Sequence, residues 1–351
     1  MQRLKILYLG SAAGTSRHRA LALERLGHAV RAIDPHNLLP HYAAIDRWVH
    51  HTGGVAVDRR VTEQLREKVR GEVWDLLWVD GGVLLERALI RDLQGRSRLA
   101  INYNIDDPFG GRDGQKWRNY FRTLDLYNLV VVVRECNVRE ARAWGARNVL
   151  RVTMSADECA HAPVGLTPED RAEWESEVLF AGTWMPERGP FLARLIELGV
   201  PLTIVGDRWE KAKEWQTLRP HWRGRGIYQD SQYARAVQTA KVCLGLLSKG
   251  NRDLSTTRSF EIPHLNGLLC AERTAEHARL YREGEEALFW SSPEECAAQC
   301  LWALANDEFR LRISAAGRAR CLANQTTNEP VLRRILDTVL CQTHGLGRLA
   351  S

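Results

Sequence analysis

EVLFAGTWMPERGPFLARLIELGVPLTIVGD, residues 177–207, decides the fold. Glu177 to Thr183 is a short apolar strand interrupted at Gly182. From about Pro190 to Leu198 the apolar residues fall at helical spacing, and Pro201 to Asp207 is apolar again until Gly206. Strand, helix and strand in close succession make a parallel unit, because two parallel strands need a crossover between them.

The same alternation runs outward in both directions. Upstream, apolar strands are expected at Leu4–Gly10, Ala29–Asp34, Trp74–Asp80, Leu99–Asn104, Asn128–Val133 and Asn148–Thr153. Helices fall between them, among them Ser16–His28 with Gly27 near its end, one near Thr62–Arg70, and one from about Asn137 to Trp144. Downstream come a helix near Ser231–Thr239, strands at Lys241–Leu247 and Leu268–Glu272, and an almost wholly helical tail from about Pro293. Ser155–Ser176 breaks the pattern with two prolines, several acids and no apolar period. The fold class is therefore α/β, two Rossmann-like domains facing a cleft. The boundaries read as 1–160 for the first domain, 161–176 for a linker, 177–325 for the second domain and 326–351 for a C-terminal helix.

Composition limits the classes of function. The 351 residues are 44% hydrophobic and 26% charged, too apolar for disorder. The longest apolar run, Leu129 to Val133, is far below the roughly 20 residues that span a membrane. MQRLKILYLG reads as a first strand rather than a signal peptide, so a cytoplasmic location is expected. Net charge is +6, but the basic residues are scattered, which argues against a nucleic-acid stripe. The eight cysteines contain no CxxC pair, so no metal site is expected and the thiols read as buried and free; Cys296 and Cys300 stand four apart on a predicted helix and share a face.

In an open parallel sheet, ligands sit where loops leave the carboxyl ends of strands and feed helix N-termini, whose free N–H groups suit phosphate. The first such loop, Gly10 to Arg17, lacks the GxGxxG and GK[ST] patterns, which disfavours a dehydrogenase or an ATPase. Its Gly14 and Arg17, with Arg19 nearby, still suit a ligand phosphate or sugar. The second-domain loop Gly182-Thr183-Trp184-Met185-Pro186-Glu187-Arg188 carries one well-placed cation. Arg188 there suits neutralisation of a diphosphate leaving group. Further on, Asp253 and Glu261 are acids with seven residues between them, and Arg258 precedes Glu261 by one helical turn. An ionised carboxylate only accepts hydrogen bonds and so suits a vicinal diol such as ribose; Arg258 suits either Glu261 or a phosphate.

RSFEIPHLNGLLCAERTAEHARLYREGEEALFW, residues 258–290, resembles the C-terminal signature of CgeB-like glycosyltransferases, a GT-B group related to the glycosyl transferase family 1 enzymes. The blocks FAGTWMPERG, LTIVGDRW, LGLLSKGNRD, INYNIDDP and WGARNVLRVTMSAD agree, so the resemblance runs from Leu4 to roughly Asn328. It implies transfer of a hexose or pentose from a UDP-, GDP- or dTDP-linked donor without a metal. It also implies that Glu261 binds ribose, that Arg188 with Lys249 or Arg258 binds the diphosphate, and that Thr256 and Thr257 contact phosphate. The last helix would cross back to the first domain. Two departures stand out: Asn266 occupies a position that is often glycine, with Gly267 next, and the first acid of the related two-glutamate motif is Asp253. The second departure leaves the stereochemical outcome open.

On the acceptor side, Asp106 and Asp107 end a strand and enter a glycine-containing loop, where either suits removal of a proton from an acceptor hydroxyl. His18 and His161 are further candidates. Trp74, Trp78, Trp117 and Trp184 lie near strand ends and suit either core packing or stacking on a sugar or base. The acceptor class, whether glycan, lipid, protein or small molecule, stays open. So do a nucleotide-sugar epimerase and a non-catalytic binding or surface-assembly protein as alternatives to transfer.

Overall fold

The six upstream apolar runs become β1 (Lys5–Leu9), β2 (Ala29–Ile33), β3 (Trp74–Asp80), β4 (Ser97–Asn104), β5 (Leu129–Val132) and β6 (Val149–Arg151) in the computed structural model, which describes residues 2–226 and 230–346. They form one sheet in the order β2-β1-β3-β4-β5-β6, and every neighbouring pair is parallel. Residues 6–9 of β1 and 129–132 of β5 are fully buried, as expected of strands covered by helices on both faces. The order reverses between β1 and β3. Ligands of such sheets gather at that switch point.

A second parallel sheet repeats the plan. It contains β7 (Ser176–Ala181), β8 (Leu202–Val205), β9 (Trp222–Gly224), β10 (Ala240–Gly245), β11 (Leu269–Glu272) and β12 (Leu288–Trp290), in the order β12-β11-β10-β7-β8-β9. Its switch point lies between β7 and β10. The loop that follows β7 and the longer one that follows β10 leave the sheet there. Both carry the residues singled out from the sequence. The edge strands β9 and β12 were not expected: at three residues each, they are too short for a period of two to register.

The chain packs as two compact units, Met1–Thr153 with Asn328–Ser351, and Met154–Thr327. In the first, the helix Asn328–Leu346 packs on the helix Gly14–Arg25, where Arg25 Nε meets Glu329 Oε1 at 2.9 Å. The stretch read as a linker, 161–176, lies inside the second unit. Pro168–Trp174 there is a helix opened by a reciprocal Thr167–Asp170 capping box with proline at its start. Asp170 pairs with Arg235 at 2.7 Å, and the Val164 N–H donates to Gln238 Oε1 at 2.8 Å. None of that helix's residues is buried, so it has no apolar period to read.

No described helix is long and apolar enough to cross a membrane.

Candidate functional site

The loop after β7 is held in a tight embrace with the loop after β8. A Cβ on Gly206 would lie 2.0 Å from the Gly182 carbonyl oxygen, so only glycine permits the approach. Trp209 Nε1 donates to Gly182 O and Trp222 Nε1 donates to Gly206 O, each at 3.0 Å. These indoles act as clamps of the loop. Of the four tryptophans singled out earlier, Trp74, Trp78 and Trp117 are buried core residues, and Trp184 is half-buried against the second unit's core.

Arg188 opens the helix Arg188–Glu197 beneath this loop and is 9% exposed. Its Nη1 donates to Thr183 O at 2.8 Å and its Nη2 to Leu246 O at 3.2 Å. Its Nε is buried without a partner, and among the described residues no carboxylate lies within ion-pair distance. Burial lowers its pKa to about 10, against the pull of Glu187 and Asp253. At neutral pH it remains a cation. Two carbonyl dipoles and the Phe180 ring, 5.6 Å from the guanidinium, hold this buried cation, an arrangement that suits an anionic ligand.

The loop after β10 brings up the second half of the site. Ser248 N–H donates to Asp253 Oδ2 at 3.4 Å and Asp253 N–H to Ser248 O at 3.2 Å, which closes the turn. Lys249 N–H donates to Glu187 Oε1 at 3.0 Å, and Lys249 Nζ pairs with Glu272. A pocket opens between the two loops, walled by Arg188, Leu246, Lys249, Glu272, Trp290 and Ser292. The Thr256 hydroxyl is buried with no hydrogen-bond partner among the described residues, and Thr257 precedes the helix Arg258–His264 without a side-chain capping bond.

Glu261 is enclosed by protein. It is 2% exposed, with one carboxylate oxygen on Arg258 and the other 3.6 Å from His161 Nε2. Burial would raise its carboxyl, but Arg258 and then His161 outweigh it, and the Tyr233 hydroxyl adds to them; the group sits below the ordinary carboxylate range. His161 Nδ1 accepts the Asp157 N–H at 2.8 Å, so the ring's proton lies on Nε2, facing Glu261. Both carboxylate oxygens thus face protein groups. Arg258 in turn donates through Nε to Ala181 O at 3.1 Å and lies 4.5 Å over the Tyr233 ring. Glu261 and Tyr233 therefore aim Arg258 at the end of β7. Tyr233 lies on the helix Asp230–Thr239, and no local signal in the sequence marks it.

The Asn266 departure is also resolved. The helix Arg258–His264 ends in a Schellman motif, with Gly267 N–H on Ile262 O and Asn266 N–H on Pro263 O, both at 2.9 Å. Asn266 takes the left-handed conformation (φ 64°), which asparagine tolerates. Gly267 meets the other demand, since a Cβ there would lie 2.8 Å from Val237.

In the first unit the candidates scatter. Gly14 and Arg17 are exposed, and His18 is buried within its helix. Arg19 points inward: Nε and Nη2 bind both Asp80 oxygens at 2.7 and 3.0 Å, and Tyr8 Oη donates to Asp80 at 2.5 Å. Asp107 is 1% exposed, and its Oδ1 accepts the Phe109 and Gly110 N–H groups and Asn137 Nδ2. That oxygen holds the turn and is not poised for an acceptor's proton. Asp106 is the more open acid, its Oδ2 3.5 Å from Lys116 Nζ.

Residues 188–337 match the family model described as glycosyl transferase-like. The chain carries a glycosyl transferase-like domain. The match begins at Arg188 itself and takes in Asp253 and Glu261. Solved structures resemble this chain over nearly its whole length. Sucrose-phosphate synthase from Thermosynechococcus elongatus is 14% identical with a TM-score of 0.68, covering 99% of this chain and 100% of its own. Anabaena HepE in complex with UDP-glucose is 12% identical with a TM-score of 0.62, covering 97% and 100%. α,α-Trehalose 6-phosphate synthase from Burkholderia multivorans is 13% identical with a TM-score of 0.60, covering 100% of both chains. These likenesses establish the GT-B glycosyltransferase fold. No curated protein matches the sequence.

Proposed function

We propose that this chain is a glycosyltransferase that moves a sugar from a nucleotide-sugar donor to an acceptor hydroxyl. The observation that carries the reading is Arg188, a buried cation at the sheet's switch point with no carboxylate partner among the described residues. Breaking the bond between a sugar's anomeric carbon and a nucleoside diphosphate leaves negative charge on the diphosphate. A fixed guanidinium and the N-terminal dipole of its helix stabilise that charge as it develops. Arg258, aimed by Glu261, supplies the second cation, and Lys249 lies across the same pocket. Protein cations thereby take the part that a divalent metal plays elsewhere, so transfer proceeds without one. Thr256 and Thr257 contact the phosphates.

Of the two candidate bases for the acceptor's proton, Asp106 is our choice because Asp107 is committed to its turn. Uridine is the base to try first, since HepE is seen with UDP-glucose. The test is a thermal-shift screen of UDP, GDP, dTDP and CDP in EDTA, followed by turnover of the matching sugar nucleotide. Stabilisation by one base, lost in Arg188→Ala, supports the reading; no response to any of the four ends it. Donor consumption only with an added acceptor separates transfer from epimerisation, and binding without turnover points to a non-catalytic protein.

A further inference from the structure

Three thiols distant in the chain meet in the core of the second unit. Cys270 lies in β11, and Cys296 and Cys300 lie one turn apart on the helix Pro293–Ala305. Their three sulfurs are all within 4.8 Å of one another and all fully buried. Three sulfurs that contact one ion at a typical metal–sulfur length of ~2.3 Å stand at most ~4 Å apart, so small side-chain shifts bring this triangle to the size of a coordination sphere. Leucine, valine and alanine side chains surround the group.

We infer that Cys270, Cys296 and Cys300 form a three-sulfur site for a trivalent thiophilic ion, arsenic(III) being the species it takes. Thiolate donors select soft ions. Structural zinc takes four ligands, and among the described residues no other histidine, cysteine or carboxylate joins these three. A monovalent or divalent ion on three thiolates leaves net negative charge in an apolar core, where none of the described basic side chains hydrogen-bonds the sulfurs, and uncompensated buried charge is costly. A trivalent ion cancels it. Arsenous acid and three thiols form three As–S bonds, three As–O and three S–H bonds break, and three waters leave. The product is neutral, and no oxidant or reductant is needed.

The site backs the pocket described above. Cys270 is two residues from Glu272, and Cys296 is three from Pro293, both of which line that pocket. β11 carries Cys270 opposite Leu288 and Glu272 opposite Trp290 in β12. Three As–S bonds would lock together the strand and helix that end in the pocket wall. Only this coupling rests on the donor-site reading; the sulfur site does not.

The test titrates the full chain, kept reduced with a phosphine, with arsenite, read by native mass spectrometry and As–S ultraviolet absorbance. One arsenic per chain replacing three hydrogens is expected. Cys270→Ser, Cys296→Ser and Cys300→Ser should each weaken arsenite at least tenfold while still binding phenylarsine oxide, which needs two thiols. Cys341→Ser, at an exposed position, should change neither. An arsenic-free parent, unchanged affinity in all three variants, or zinc bound more tightly than arsenite overturns the site. Arsenic loading should weaken UDP binding severalfold, and unchanged UDP affinity overturns the coupling. A chain that takes arsenic yet never binds UDP counts against the donor-site reading instead.

Discussion

Arg19 and Arg188 occupy equivalent places in the two units: each lies on the helix that follows a switch-point strand, and each is almost wholly buried. Their electrostatics are opposite. Burial would lower Arg19, but Asp80, with Tyr103 and Tyr8, raises it above the ordinary arginine range. Burial lowers Arg188 to about 10 with no ion-pair partner to oppose it. Equal burial thus gives a closed ion pair in one unit and, in the other, a cation with no carboxylate in ion-pair contact among the described residues, which the proposed function makes the anion site. A structural arginine and a ligand-binding one are told apart by what balances the charge, and depth alone does not separate them.

The largest effect should come from opening the closed pair. Asp80→Ala leaves Arg19 buried and uncompensated, a loss of ~3–5 kcal/mol by analogy with other broken buried pairs. For a unit of this size that lowers the melting temperature by roughly 10 °C. Calorimetry checks it, and a shift of only a degree or two would dissolve the contrast. Arg188→Ala is the mirror experiment. With no pair to break, it should shift melting of the ligand-free chain by at most a few degrees and weaken UDP binding ~10- to 100-fold, as charged hydrogen bonds do. Isothermal titration measures the second effect. A large loss of stability with unchanged UDP affinity would make Arg188 another Arg19.

Glu261→Gln moves Arg258 from the first condition toward the second. The Glu261 carboxyl is depressed below its ordinary value of 4.5, so its contribution to stability is in place above about that pH and fades as the pH falls through the lower folded value. The variant should therefore be less stable at pH 7 and lose less on acidification. Urea titrations of both proteins at pH 7 and below pH 4 compare the slopes; parallel curves would show that the pair carries no pH-dependent stability.

The contrast between the arginines was only half legible in the sequence. Strand periodicity placed all six strands of the first sheet and four of the second, because central parallel strands are continuous apolar runs. It put Arg188 in the loop feeding a helix expected from about Pro190, whereas the helix begins at Arg188 itself. Nothing local distinguishes Arg19, which has a carboxylate partner 61 residues away, from Arg188, which has no carboxylate partner among the described residues. Glu261 illustrates the same limit. Its helix position was readable, but Tyr233 and His161, which enclose it, arrive from other parts of the chain. Cys270 joins Cys296 and Cys300 only through the packing of a strand on a helix, so spacing along the chain hid the cluster. Asn266 and Gly267 show the reverse case, where a departure from a pattern conceals an unchanged backbone demand.

The smallest effect tests whether unbalanced polarity around Arg188 extends beyond charge. The Thr256 hydroxyl is buried and has no partner among the described residues, whereas a hydroxyl in a finished core is nearly always satisfied. Thr256→Val keeps the shape and removes that hydroxyl. If the oxygen waits for a phosphate, the ligand-free chain should lose no stability, because no hydrogen bond is given up, and the desolvation cost of the hydroxyl disappears. UDP affinity should fall by about 1 kcal/mol, close to fivefold, the scale of one neutral hydrogen bond. Loss of stability without loss of affinity would place the hydroxyl in the fold's own network, and the open site would then reduce to its cations.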